Sequence, residues 1–492
     1  MATSVGVGRK KLSEQEKKEQ KQIYLPHDML EKINKLNISG CKSFSSKTVK
    51  LIEKGIDSMK QQENMDINQN KKNTIKVADL FAGMGGIRLG FEKALNKKNL
   101  KSDTVFISEI KTAAISVYKD NFPDAHITGD ITKVNAKDIP NIDILLAGFP
   151  CQAFSYAGKR LGFDDTRGTL FFDVARVIKE KEPKGFLLEN VEGLVTHDRG
   201  RTLQTILNVL NDLGYHVTYK VLNSADFGLA QARKRIYIVG TKNEAPLSLD
   251  SFTLSNTTTL ADIIDYSIPA EKDDFSDKLL SKYSLKDIEG KQIKDKRGGT
   301  NNIHSWDFSL KGEVSDVQKK LLNGLLKQRR NKKWADIIGI DWMDGMPLTV
   351  DMIRSFFDIP NLKELLDDLV EKGYLKLEYP KKKTVNGREY DTSKPKGYNI
   401  VTGKLSFKYS KILSPNEVTP TLVATDLSRL AVPVKNGIRP LTTREALRLF
   451  GYPESYSLDS VSQNKAYDLL GNTVAVSVIE KVADQLLESL YK

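Results

Sequence analysis

Between residues 73 and 242 the chain alternates short apolar runs with amphipathic stretches. That alternation restricts the fold more than any other feature of its 492 residues. Ile75–Phe81, Thr104–Glu109, Ile142–Ala147 and Gly185–Glu189 read as strands, and His216–Asn223 and Arg235–Gly240 as two more. Gly86–Leu95, Thr112–Asn121, Leu170–Lys179 and Arg201–Leu213 have helical apolar spacing. Strands alternating with helices predict an α/β fold with a doubly wound, mostly parallel sheet. Such sheets build their sites at the carboxyl ends of their strands.

Four regions follow along the chain. Residues 1–72 form a basic extension, 73–242 carry the chemical motifs, 243–435 are long, irregular and charged, and 436–492 are compact and mostly helical. The composition, 39% hydrophobic and 28% charged, is that of a soluble globular protein. A net charge of +13 favours a polyanionic partner such as nucleic acid. No apolar run reaches the roughly 18 residues of a membrane span, and the N-terminus lacks a signal-peptide core. The chain has only two cysteines, Cys41 and Cys151, far apart in sequence, which argues against a disulfide framework and a zinc cluster, and no metal site is expected. Low cysteine use fits a reducing cytoplasm.

Two corners of the second region carry chemistry. The first strand ends in Asp79-Leu80-Phe81-Ala82-Gly83-Met84-Gly85-Gly86, where Gly83 and Gly85 allow a tight turn and close approach to a ligand. A plain strand-to-helix turn would read the same way, and neither the GxGxxG nor the P-loop pattern is present. Glu109 ends the second strand, and Asp130 follows the segment Ala125–Ile127. Both fall in the crevice that holds the glycine turn, where carboxylates suit ribose hydroxyls and an adenine amino group. The implied ligand is a nucleoside cofactor with no obligatory pyrophosphate.

At the second corner, Gly148-Phe149-Pro150-Cys151-Gln152 presents a thiol where Pro150 stops a buried strand. A generic buried cysteine is the plain alternative. Glu189 ends another apolar strand, and Arg233 and Arg235, two apart in Gln231-Ala232-Arg233-Lys234-Arg235, share a face in extended backbone. A capping acid and a solvated basic edge strand would look alike. Together the set supplies a nucleophile, an acid and two cations. Thiolate addition to carbon 6 of cytosine makes carbon 5 nucleophilic. A carboxyl group at nitrogen 3 stabilises the developing charge.

These motifs, with Arg167-Gly168-Thr169-Leu170-Phe171-Phe172, Glu189-Asn190-Val191 and Gly471-Asn472-Thr473-Val474, stand in the order found in bacterial C5-cytosine DNA methyltransferases, which the chain resembles over about 75–240 and 436–490. The resemblance implies an S-adenosylmethionine-dependent methyltransferase fold and double-stranded DNA as partner. It makes Cys151 the covalent nucleophile and Glu189 the contact to nitrogen 3, with Arg233 and Arg235 near the cytosine and supporting the catalytic loop. Phe81, Gly83, Gly85, Glu109, Asp130 and Asn472 are implied to hold S-adenosylmethionine, with Ile110, Ile131 and Leu170 as pocket walls. Residues 155–167 resemble a mobile loop that closes on DNA, and Gln152, Ser155 and Arg167 are implied DNA contacts. The target cytosine would be flipped out of the duplex.

The same resemblance places target recognition in 243–435, as a separate mixed α/β domain. Pro420-Thr421-Leu422-Val423 is similar to the short Thr-Leu signature of such regions, which assigns Thr421 and Leu422 to DNA. Within it, Leu348–Phe357, Asn361–Leu375 and Lys376–Tyr398 read as helix, helix and β-ribbon, a winged-helix-like insert over about 345–400 whose Lys381, Lys382 and Lys383 would meet phosphates. An ordinary helical insertion is the alternative. In the closing region, Thr442 or Thr443 caps a helix that ends before Gly451, and Val474–Leu487 packs back on the sheet.

In the extension, Gln20–Pro26 reads as a strand, and His27–Leu36 and Ser45–Met59 as helices, the second capped by Ser45 or Ser46. This resembles a ribbon–helix–helix, which requires a homodimer and would bind operator DNA. A helical appendage is the alternative. The leading reading is a sequence-specific DNA (cytosine-5)-methyltransferase protecting host DNA against a cognate restriction endonuclease. An RNA (tRNA) cytosine-5 methyltransferase and a DNA-binding regulator with a dead core are the other readings.

Overall fold

A computed structural model describes residues 27–40, 42–72, 74–150, 170–242, 247–253, 255, 258–296, 298–384, 387–402 and 407–491. The chain forms two compact units, Met1–Thr74 and Ile75–Lys492. No helix among the described residues is long and apolar enough to cross a membrane.

The first unit contains α1 (His27–Lys35) and α2 (Phe44–Lys72). The second helix runs well past Met59, because residues 60–72 contain no glycine or proline to stop it. Its cap is Ser43, not Ser45 or Ser46. The Ser43 hydroxyl accepts the Ser46 N–H at 3.2 Å, and the Ser46 hydroxyl accepts the Ser43 N–H at 3.1 Å. The expected strand Gln20–Pro26 lies outside the described residues.

The second unit opens with β1 (Thr74–Leu80), α3 (Gly86–Lys97), β2 (Lys101–Ser108), α4 (Thr112–Asn121), β3 (Ile144–Gly148), α5 (Leu170–Lys181), β4 (Gly185–Val191), α6 (Arg201–Asp212), β5 (His216–Asn223), β6 (Gln231–Ala232) and β7 (Lys234–Thr241). Six of these strands form one sheet in the order β2-β1-β3-β4-β7-β5. β1 with β3 and β3 with β4 are parallel, whereas β7 runs antiparallel to both β4 and β5. Residues 224–233 are too few for a crossover, which takes about a dozen or more, so β7 must enter reversed. The chain leaves β1 towards β2 on one side and returns to β3 on the other. The crevice between the carboxyl ends of β1 and β3 is therefore the topological switch point.

The next region contains α7 (Asp274–Lys282), α8 (Leu285–Ile288), β8 (Gln292–Ile293), β9 (Asn302–Ile303), α9 (Asp316–Gln328), α10 (Lys333–Ile338), α11 (Val350–Arg354), α12 (Leu362–Glu371), β10 (Leu375–Glu378), β11 (Lys381–Thr384), β12 (Gly387–Tyr390), β13 (Gly397–Ile400), β14 (Lys411–Ile412), β15 (Thr419–Pro420), β16 (Leu430–Val434) and β17 (Gly437–Pro440). A second sheet runs β17-β16-β14-β8-β9. The chain closes with α13 (Thr443–Leu449), α14 (Gln463–Gly471) and α15 (Val476–Leu490).

One face of the main sheet packs on α3 and α15, through Val77, Ile144, Leu146 and Leu187 against Phe91, Ile479, Val482 and Leu486. The other packs on α5 and α6, through Leu145, Ala147 and Leu188 against Val174, Ile178, Ile206 and Leu210. Most of these side chains are fully buried, and each of those larger than alanine contributes about 1.5–3 kcal/mol. α15 comes close to α3 because Gly90 has no side chain; a Cβ there would stand 2.6 Å from the Ile479 Cβ. Thr442 caps α13, accepting the Glu445 N–H at 3.1 Å, while the Glu445 carboxylate accepts the Thr442 N–H at 2.8 Å.

Candidate active site

A cavity of 680 Å³ opens at the carboxyl ends of β1 to β4. Phe81, Gly83, Glu109, Ile110, Asp130, Ile131, Leu170 and Asn472 line it, and so do Glu189, Arg233 and Arg235. Both corners read from the sequence thus share one space. Gly85 does not line it. Its φ of 81° starts α3, and a Cβ there would fall 2.5 Å from the Phe122 ring. Gly85 shapes the turn from behind.

Gly83 has φ of 55°, and nothing stands within 4 Å of where its Cβ would be. Phe81 also has positive φ, 54°, uncommon for a side chain of this size. The Glu109 carboxylate fixes the loop, accepting the Gly83 N–H at 2.7 Å and those of Ile110 and Lys111 at 2.8 Å each. Asp130 is held by Thr132, whose N–H and hydroxyl donate to one carboxylate oxygen at 3.0 and 2.8 Å. Those bonds keep its pKa below the usual range. Asn472 donates to the Asp468 carbonyl at 2.8 Å, and Asp468 pairs with Lys111. The C-terminal segment is thereby tied to the loop after β2.

Behind the glycine turn lies a group that the motif reading missed. Asp79 is fully buried in β1, and burial pushes its pKa up to about 7. One of its oxygens accepts the Tyr118 hydroxyl at 3.0 Å, and the other has no partner. The signal in the sequence was a carboxylate inside the apolar run Val77-Ala78-Asp79-Leu80.

The chemical corner depends on the reversal of β7. Val191 of β4 stands opposite Arg235, and Glu189 opposite Tyr237. The start of β7 therefore meets the end of β4. Arg235 Nε lies 3.2 Å from Glu189 Oε1, both side chains being nearly buried. Burial raises the Glu189 pKa, and Arg235 and then Arg233 pull against it. Arg233 is 3% exposed and points elsewhere, donating to the carbonyls of Leu422 at 3.0 Å and Thr473 at 2.6 Å. It braces the walls of the cavity. Asn190 donates to the Phe149 carbonyl at 2.8 Å, holding the loop that leads through Pro150 to Cys151. Cys151, Gln152, Ser155 and Arg167 lie outside the described residues.

The DNA contacts expected after Pro420 are placed differently. Leu422 is 1% exposed, and its N–H donates to the Gln231 side chain at 3.1 Å. Its side chain belongs to the core and is withdrawn as a DNA contact. Thr421 donates to the Ala232 carbonyl at 2.7 Å. With β15 parallel to β6, this segment clamps the end of region 243–435 to the start of the strand pair that carries Arg233 and Arg235. Lys381, Lys382 and Lys383 stand in β11, the first strand of a ribbon within region 243–435.

A doubly wound sheet with a cavity at its switch point, continuous with a buried carboxylate–guanidinium pair, is that of an α/β enzyme that sets a small ligand against a second reactant. The chain belongs to the C-5 cytosine-specific DNA methylase family, whose model matches residues 75–488, and it is a DNA (cytosine-5-)-methyltransferase. It is 57% identical over 423 residues to the type II methyltransferase M.NlaIV of Neisseria lactamica, covering 85% of this chain and 99% of that one. M.NgoBV of Neisseria gonorrhoeae is 56% identical over the same shares of the two chains. M.BanI of Aneurinibacillus aneurinilyticus is 42% identical, covering 84% and 96%.

Proposed function

We propose that the enzyme methylates cytosine within a specific duplex sequence through a covalent adduct at Cys151, with S-adenosylmethionine as donor, and protects host DNA from a cognate endonuclease. The observation that carries this reading is the single cavity joining the glycine turn to the Glu189–Arg235 pair.

The cofactor corner fits a nucleoside. The open space above Gly83 admits a ligand against the backbone, Ile110 and Ile131 offer apolar flanks, and Glu109 and Asp130 offer acceptors. Bound there, S-adenosylmethionine supplies a methyl group on a cationic sulfur. The chain's residues do the rest. The Cys151 sulfur adds to carbon 6 of an extruded cytosine. Glu189, whose proton is retained to higher pH by burial, donates towards nitrogen 3. Arg235 fixes that carboxyl and faces the exocyclic oxygen. Carbon 5 would take the methyl group as its bond to the sulfonium sulfur breaks and leaves a neutral thioether; the carbon 5 proton then passes to solvent, Glu189 takes back the nitrogen 3 proton, and the Cys151 thiolate leaves carbon 6.

The test is trapping on duplexes containing 5-fluorocytosine, where fluorine cannot leave and the adduct persists. The wild-type chain should form a stable complex, and Cys151→Ser should form none and transfer no methyl. Labelled transfer to tRNA rather than duplex DNA would favour the RNA reading instead. For the first unit we propose a ribbon–helix–helix dimer. The apolar side chains Val49, Ile52 and Ile56 are exposed at helical spacing along α2, as a partnered helix requires. Sedimentation of the whole chain as a dimer, and as a monomer after removal of residues 1–72, is the expected result.

A further inference from the structure

Trp306, Leu322, Leu348, Ile353, Leu366 and Tyr398 form a core separate from that of the second sheet. It draws on helices upstream of residue 345, so the insert is larger than its sequence pattern indicated. Along the chain come α9, α10, an isolated bridge at Leu348, α11, α12, β10, the β11–β12 ribbon and β13. Leu348 bridges Tyr398 of β13, and β13 pairs antiparallel with β10. With α10 as an extra helix after the first, this is the helix, strand, helix, helix, strand, wing, strand order of a winged helix.

In DNA-binding folds of this type the second helix of the pair enters the major groove. Here that helix is α12, and its charge opposes such a role. Within Leu362–Glu371 four carboxylates, Glu364, Asp367, Asp368 and Glu371, stand against one cation, Lys363. Its apolar residues Leu362, Leu366 and Leu369 are turned to the core, so the polar residues form the outer face. A phosphate backbone repels that face.

The ribbon has the opposite character. Lys381 stands opposite Tyr390, and Lys383 opposite Arg388, so these four share one face. Lys382 and Glu389 take the other, and Lys382 lies 4.0 Å from Asp391. Directly opposed like charges such as Lys383 and Arg388 destabilise a ribbon, and an anion between them removes that cost. Lys381 Nζ sits 4.7 Å above the Tyr390 ring, and Arg388 donates to the Trp342 carbonyl at 3.0 Å. Tyr390 and Trp342 are 50% and 42% exposed. Cations interleaved with exposed aromatic rings suit a nucleic-acid backbone.

We propose that this winged-helix insert grips duplex DNA by the Lys381–Lys383–Arg388 face of its wing, through phosphates, while α12 is held away from the polyanion. The inference rests on the reading that the enzyme acts on duplex DNA.

Binding of the full-length chain to a labelled random-sequence duplex, measured across a salt series, tests it. The triple variant Lys381→Gln, Lys383→Gln, Arg388→Gln should bind about ten-fold or more weakly, with a salt slope lower by about 2–3. A second variant, Lys381→Arg, Lys383→Arg, Arg388→Lys, keeps the charges and should restore both, which separates charge loss from misfolding. Glu364→Gln with Glu371→Gln should not weaken binding. Unchanged affinity and slope in the Gln triple, or a larger loss from the α12 pair, overturns the proposal. Failure of the enzymatic reading has a different signature: no methyl transfer from the wild-type chain to duplex DNA, whatever the wing does.

Discussion

Asp79 shows how one residue makes the site sensitive to pH. Its carboxyl is buried behind the glycine turn with a pKa near 7, against about 3.8 when exposed. The folded chain holds this proton to higher pH than the unfolded chain does. Stability from this group is full below about pH 4 and is lost as pH rises to about 7. Asn cannot ionise, and its amide oxygen still accepts the Tyr118 hydroxyl. In Asp79→Asn, the difference in unfolding free energy from wild type should move in the variant's favour by up to about 4 kcal/mol between pH 4 and pH 8. Denaturant melts of both chains across that range measure it; a pH-independent difference would refute the burial argument. The sequence shows Asp79 only as a carboxylate in an apolar run; its burial, its Tyr118 partner and the second oxygen left without one exist only in the packed protein.

At the scale of elements, the reversed β7 governs the site. Its start brings Arg235 to Glu189 and sends Arg233 into the seam between the segment at Leu422 and the closing helices. Lys at position 233 cannot present the planar fork that reaches two carbonyls at once, and it leaves buried acceptors unpaired. Arg233→Lys should destabilise the chain by about 2–4 kcal/mol in urea melts, with the Glu189–Arg235 corner intact. The sequence placed both arginines on one extended face. The resemblance put Arg233 near the cytosine and in support of the catalytic loop; nothing local reveals that its partners are carbonyls some 190 and 240 residues further on. The same limit explains Leu422, an apparent reading residue that is a core side chain.

For the whole molecule, the boundary between the two units falls where the family model begins. Removing residues 1–72 should therefore leave methyl transfer to duplex DNA within about two-fold of wild type, measured by labelled transfer at matched enzyme concentration. A loss of a hundred-fold would show that the extension completes the catalytic unit. The main strands and helices were legible because their apolar periods are local: α4 and β5 have the predicted bounds, and others differ by a few residues at their ends. So were the residues around the cavity, since carboxyl ends of strands converge in any doubly wound sheet.

The sequence by itself determined the alternation, the chemical groups and their order along the chain. These follow from residue spacing, which a strand or helix converts directly into a face. Tertiary structure alone decided the antiparallel return of β7, the buried state of Asp79, the bracing role of Arg233 and the acidic outer face of α12. Each depends on which distant backbone or solvent a side chain meets, and that is set by packing between segments whose spacing carries no record of it.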